Sequence, residues 1–243
     1  MLGKQVKDET FLLCDYYGEK LLLHLVDSLI EEESQSTRKF LMTLVKQFGH
    51  KALPEVIKRV RDERWYVRRN MICILAELGE SDAISHLRPF CRDNNPKVSF
   101  EAIKCLLKAG DNYGIIGLKR YLGADSYDTV EKGINLASLY KVKEAAPDLI
   151  QLLKRTNAVS ADFYQKIPLV KALGQIGDPS ALDALRELLS ARSLLFKSAV
   201  DSLKEEIYKT LKYYPYEKIK DLLEAGIKSK NDVIRGVSVK LQR

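Results

Sequence analysis

From Asp62 to Gly79 the chain reads DERWYVRRNMICILAELG. Counting back from Gly79, apolar residues stand one, four, five and seven positions away, at Leu78, Leu75, Ile74 and Ile72. Those offsets trace one face of an α-helix. Gly79 then reads as the helix stop, because glycine enters the left-handed region at little cost.

The same pattern recurs on both sides. Gly18, Gly49, Gly79 and Gly110 are spaced 31, 30 and 31 residues apart. Four positions before them stand Cys14, Val45, Leu75 and Leu106; five before, Leu13, Leu44, Ile74 and Cys105; seven before, Phe11, Met42, Ile72 and Ile103. Eight positions after the glycines come Val26, Ile57, Leu87 and Leu118, and eleven after come Leu29, Val60, Phe90 and Tyr121. Each unit is therefore a helix pair of about thirty residues, with helix B before the glycine and helix A after it.

Farther along, the period lengthens. Helices are expected at Thr129 to Tyr140, Ala146 to Lys154, Phe163 to Ile176, Pro179 to Leu189, Phe196 to Leu211, Tyr216 to Ile227, and from Asp232 onward, with a polar connection from Arg155 to Asp162. A thirty-residue pair cannot bury its apolar face alone, and stacked pairs can. The expected fold is all-α: an α-solenoid of about seven helix pairs. Its single array covers residues 1–243, with a leading half-unit 1–18, regular units 19–141 and longer units 142–243.

Composition agrees. The 243 residues hold only 13 Gly and 7 Pro, which disfavours a turn-rich β-sandwich or α/β enzyme. There are 40 basic against 33 acidic residues, a net charge of +7. Cys14, Cys73, Cys91 and Cys105 form no CxxC pair and read as buried thiols of a reducing compartment. The N-terminus MLGKQVKDET has no signal-peptide pattern, so a cytoplasmic protein is expected.

The segment Asp62 to Gly79 resembles the D-x-x-x-x-V-R repeat segment of HEAT proteins, in particular the short repeats of the phycobilisome-lyase type. Pro179-Ser180-Ala181-Leu182 resembles the helix start of the same family. The resemblance implies that an Asp in the A–B turn and an Arg six residues later form ladders between repeats. Asp62 and Arg68 match this, Glu32 and Arg38 match it approximately, and Asp93 faces Ser99, where the ladder is interrupted. It also implies that B helices line a concave face.

The B-helix positions opposite the core carry a basic stripe with two aromatics: Lys39, then Tyr66 and Arg69, then Lys97, Phe100 and Lys104, with Trp65 at its edge. Beyond it Asp128 and Glu131 turn the stripe acidic, which argues against one long phosphate track. The expected partner is a protein, in the form of an acidic or amphipathic segment. Aromatic anchors would supply contact area, and Lys/Arg would supply steering. Self-association through the end helices is a second expectation. Nucleic-acid binding, including a DNA-glycosylase-like role, and a phycobilin-lyase-like enzyme are the alternatives.

Little points to catalysis. His24, His50 and His86 are scattered, with His86 expected in an A helix, and there is no HExxH, GxSxG or Walker-type loop. No His/Cys/carboxylate cluster has metal-ligand spacing. The expectation is a non-enzymatic scaffold without metal or cofactor and without a membrane segment.

Overall fold

The computed structural model describes residues 2–79, 81–155, 160–193 and 195–242. Among these residues every regular element is a helix or a 3-10 turn. The chain forms two compact units, Met1–Gly117 and Leu118–Arg243. Within each, successive helix pairs stack in the manner of an α-solenoid.

In the first unit, α1 (Leu2–Glu31) is broken at Gly18 (φ 56°, ψ −140°), so one α-helical stretch ends and a second begins there. Then follow α2 (Gln35–Gln47), a 3-10 turn Gly49–Ala52 leading into α3 (Leu53–Arg59), and α4 (Trp65–Leu78). After these come α5 (Ser81–Ser85), a 3-10 turn Arg88–Arg92 and α6 (Pro96–Lys108), and α7 (Asn112–Leu122) runs from the end of this unit into the next. The B helices α2, α4 and α6 pack in sequence, α2 on α4 and α4 on α6. Each has an A element beside it, α3 against α4 and the Arg88–Arg92 turn against α6.

The apolar offsets read from the sequence form the core. Val45, Leu75 and Leu106 are fully buried, as are Ile74, Ile72 and Ile103. The position just before the glycine does not join them: Tyr17 is exposed, and so is Ala109. Burying these faces drives the stacking, at ~25 cal/mol for each Å² of apolar surface withdrawn from water. The side chains of Lys7, Phe11, Leu13 and Cys14 lie outside the described residues.

The repeat glycines close the B helices in the left-handed region, for instance Gly79 at φ 73° and Gly110 at φ 71°. At Gly110 the turn is a Schellman motif: the Gly110 N–H donates to Leu107 O (3.1 Å) and the Asp111 N–H to Leu106 O (2.9 Å). The next repeat keeps this geometry with the wrong residue. Lys141 stands 31 positions on, at φ 50°, with its N–H on Ser138 O (3.3 Å) and the Val142 N–H on Ala137 O (3.0 Å).

The second unit comprises α8 (Tyr127–Leu139), α9 (Ala146–Arg155), α10 (Ser160–Ile176), α11 (Leu182–Ser190), α12 (Lys197–Thr210), α13 (Tyr216–Ile227) and α14 (Asp232–Leu241). Short 3-10 turns precede α9 and α11 and follow α12. Its B helices again pack in sequence, α8 on α10, α10 on α12 and α12 on α14. Of the polar connection expected at Arg155 to Asp162, residues 156–159 lie outside the described residues, and Ser160 already belongs to α10. One A helix departs from expectation. Between Gly79 and α6 there is only the five-residue α5 and a 3-10 turn, with Pro89 in its first turn. His86 therefore sits in the connection between the two, not within an α-helix.

Candidate functional site

The A–B turns are built by side chains that cap their own backbone. Asp62 Oδ1 accepts from the Arg64 N–H (2.8 Å), and Asp93 Oδ1 accepts from the Asn95 N–H (2.8 Å). Asn95 then caps α6 by accepting from the Lys97 N–H (3.0 Å). In the earlier turn Glu32 Oε1 accepts from the Ser34 N–H (2.7 Å).

Arginines brace these turns from the first turn of the following helix. Arg38 Nη1 donates to the carbonyls of Glu32 (2.9 Å) and Glu33 (2.7 Å). Arg68 Nη1 does the same to Asp62 (2.9 Å) and Glu63 (2.8 Å), and Arg235 Nη1 donates to Ser229 O (3.0 Å). The rest of the Arg68 guanidinium crosses to the next repeat and grips the Asp93 carboxylate with two bonds. The Asp62 carboxylate is instead gripped by Arg64, through Nε (3.0 Å) and Nη2 (3.0 Å), and Arg64 Nη1 also reaches Glu31 (2.9 Å). The hydrogen bond from Arg64 holds the Asp62 carboxyl below its ordinary value. Sequence reading passed over Arg64.

The stripe residues lie on α2, α4 and α6. Lys39, Tyr66, Arg69 and Lys97 are exposed, while Trp65, Phe100 and Lys104 are half-buried. Trp65 and Tyr66, side by side at the start of α4, meet edge to face with ring centroids 6.0 Å apart. Lys97 reaches back from α6 and places its ammonium 4.5 Å from the Trp65 ring centre. The Arg64 guanidinium lies 5.9 Å from the Tyr66 ring centre. Trp65, Tyr66, Lys97 and Arg64 thus form one cation–aromatic patch at the start of two neighbouring B helices.

Arg69 and Lys104 do something else. Between α4 and α6 stands Glu101, 5% exposed. Its carboxylate lies 2.5 Å from Lys104 Nζ and 3.6 Å from Arg69 Nη2. The Cys105 thiol donates to it at 3.8 Å. Burial pushes the Glu101 carboxyl up, but Lys104, the Cys73 thiol and Arg69 together pull it below its ordinary value. In turn, burial and the nearby Glu101 carboxylate push the Cys105 thiol up to about 12 and the Cys73 thiol higher still. Two of the stripe's cations are therefore already engaged by an internal acid. Lys46 on α2 is paired with the exposed Glu77 of α4. In the second unit Asp128 is paired with Lys132 (2.5 Å).

Glu101 escaped the sequence reading because it is charged, although a signal was present. It lies one helical turn before the core Cys105, nine positions before the repeat glycine. The residue at that place in α4, Asn70, is also polar and buried.

Comparison with known proteins now bears on the fold. The HEAT repeats family matches residues 22–90 and 53–138, and the PBS lyase HEAT-like repeat matches residues 169–191. The chain is a HEAT-repeat protein. No curated protein matches it. Among solved structures, the complex of CpcE and CpcF of phycocyanin lyase from Nostoc is 20% identical with a TM-score of 0.46, covering 77% of this chain and 75% of that one. An engineered protein is 15% identical with a TM-score of 0.47, covering 91% and 67%. Human deoxyhypusine hydroxylase in complex with glycerol is 14% identical with a TM-score of 0.35, covering 99% and 97%. At these values the likenesses carry nothing about function.

The described residues of this HEAT-repeat chain place no three His, Cys, Asp or Glu side chains where they could hold a metal ion. No described helix is long and apolar enough to cross a membrane. His24, His50 and His86 are all exposed and lie far apart in sequence, on α1, on the 3-10 turn Gly49–Ala52 and in the connection after α5.

Proposed function

We propose that this HEAT-repeat chain is a non-enzymatic adaptor of the cytoplasm that captures an acidic or amphipathic segment of a partner protein on the B-helix face of α2, α4 and α6. The observation that carries the reading is the cation–aromatic patch of Trp65, Tyr66, Lys97 and Arg64. Tyr66 remains 36% exposed with Arg64 at its ring, beside Trp65, which carries Lys97. Flat aromatic area next to Arg and Lys is the composition of binding hot spots. The patch is pre-ordered by its own stacking, so little side-chain freedom is lost on binding.

Within this reading the stripe divides its work. Trp65 and Tyr66 supply contact area, Lys97 and Lys39 supply charge toward the partner, and Phe100 lies beside them on α6. Arg69 ties α4 to Glu101 on α6 and Lys104 pairs with Glu101 within α6, so their charge toward a partner is partly spent. The short run of cations supports a peptide partner better than a nucleic acid, which needs several phosphates neutralised at once.

The test compares wild type with the double variant Tyr66→Ala/Lys97→Glu in affinity capture read by mass spectrometry. Both residues are exposed, so helical content by circular dichroism should not change. Proteins captured by wild type should be missing from the variant's set, and identical sets would refute the assignment. Binding that falls steeply with salt and is displaced by single-stranded DNA would replace the peptide with a nucleic acid.

A further inference from the structure

The A elements of the first unit leave a second opening. Between α3 and the segment α5 to Arg92 lies a groove of about 650 Å³, lined by Ile57, Val60 and Phe90 and rimmed by Lys58, Arg61 and His86. That volume falls within the ~300–1,000 Å³ range of ligand pockets.

Its apolar lining is anomalous within the repeat. At the position of Ile57 the other repeats carry Val26, Leu87 and Leu118, all fully buried. At the position of Phe90 they carry Leu29, Val60 and Tyr121, also buried. Ile57 and Phe90 alone among these eight residues are half-buried. The local difference is that the A element after Gly79 is not one helix but a five-residue helix followed by a 3-10 turn, with Phe90 on the turn. Two core-type side chains are left facing a gap.

The charge around the gap has one sign. Among the described residues that line it there is no carboxylate. The acid on α3, Glu55, is itself buried and is held by Arg59 and by Lys58 at 3.4 Å. Arg61 and His86 are exposed at the rim.

We propose that this groove is a second docking site, for a short acidic peptide segment with one large apolar side chain. The apolar side chain rests on Ile57 and Phe90 beside the buried Val60, completing the burial that the repeat equivalents of Ile57 and Phe90 achieve internally. Flanking carboxylates meet Arg61 and Lys58. The site is carried by A elements and not B helices, so it does not rest on the B-face reading above.

The experiment is a fluorescence-anisotropy titration in the Tyr66→Ala/Lys97→Glu background, so that failure of the B-face site leaves it unaffected. The probe is a short fluorescein-labelled peptide with a central tryptophan flanked by aspartates and glutamates. Expected is a Kd of about 10–100 μM at ~0.1 M salt. Adding Lys58→Glu/Arg61→Glu should weaken it at least ~10-fold, and replacing the peptide's tryptophan by alanine should weaken it several-fold. Lys58 and Arg61 are exposed, so the variant's fold can be checked by its circular dichroism. The proposal is overturned if no binding is seen up to ~1 mM, if Lys58→Glu/Arg61→Glu has no effect, or if the tryptophan is dispensable.

Discussion

Arg68 on α4 holds Asp93, in the turn before α6, with two parallel hydrogen bonds: Nε to Oδ2 at 2.9 Å and Nη2 to Oδ1 at 3.0 Å. The same guanidinium braces its own turn through the carbonyls of Asp62 and Glu63. One side chain therefore ties two successive repeats. The pair is largely shielded, with side-chain exposures of 17% and 10%. A lysine keeps the charge but cannot reproduce a fork with four acceptors. Arg68→Lys should lower stability by about 1–2 kcal/mol and Arg68→Ala by about 2–4 kcal/mol. Urea denaturation followed by circular dichroism checks this, and an Arg68→Ala loss below ~0.5 kcal/mol would show the bridge to be idle.

Lys141 occupies a left-handed position that glycine fills at Gly79 and Gly110. A side chain there costs about 1 kcal/mol or more in the folded state. Lys141→Gly should therefore stabilise the protein by roughly 0.5–1 kcal/mol, even after glycine's larger entropy loss on folding. Gly110→Ala should do the reverse, by about 1 kcal/mol. Thermal melts of the two variants should shift in opposite directions.

Glu101 makes part of the stability depend on pH. Its folded-state pKa lies below the ordinary value, so its contribution is fully present above the unfolded pKa and is lost as pH falls through the folded one. At pH 7 Glu101→Gln should cost about 1–3 kcal/mol, because it leaves Lys104 and Arg69 without their shared counter-charge. Both cations keep some access to water, which holds the figure below that of a fully buried pair. Urea melts of wild type and variant should converge as pH is lowered below about 4. A gap that stays constant from pH 7 to pH 3 would mean that the charge is not involved.

Burial and Glu101 hold the Cys73 and Cys105 thiols far above the ordinary range. Native-state alkylation at pH 8 should therefore run at least ~100-fold slower at both than in urea-unfolded protein, since only thiolate reacts. Site-resolved mass spectrometry reads each cysteine separately. Rapid labelling of the half-exposed Cys73 in the folded protein would contradict the placement of Glu101 beside it.

Much of this molecule was legible before any coordinates. The glycine spacing and the apolar offsets placed the helices, because a helix stop and a buried face each demand particular residue types at particular intervals. Residues such as Ile72, Leu75 and Leu106 are buried as the periodicity requires. The sequence also placed Arg38 and Arg68 at one repeat position, six residues after the turn carbonyl that each is seen to bond, and Arg235 bonds Ser229 in the same way.

Tertiary structure alone decided how charge is shared. Arg68 takes Asp93, and Arg69 turns inward to Glu101, where Lys104 joins it, so the basic part of the stripe is partly neutralised from within. Its aromatic end, with Lys97 over Trp65, is created only when α6 lies beside α4. The same holds for the groove at Ile57 and Phe90, which lies between α3 and an A element broken into a short helix and a 3-10 turn. Periodicity is a property of one helix and can be counted along the chain. Contacts such as Arg68 with Asp93, Arg69 with Glu101 and Lys97 with Trp65 belong to two repeats at once, and arise only where residues 25 to 32 positions apart are brought together by stacking.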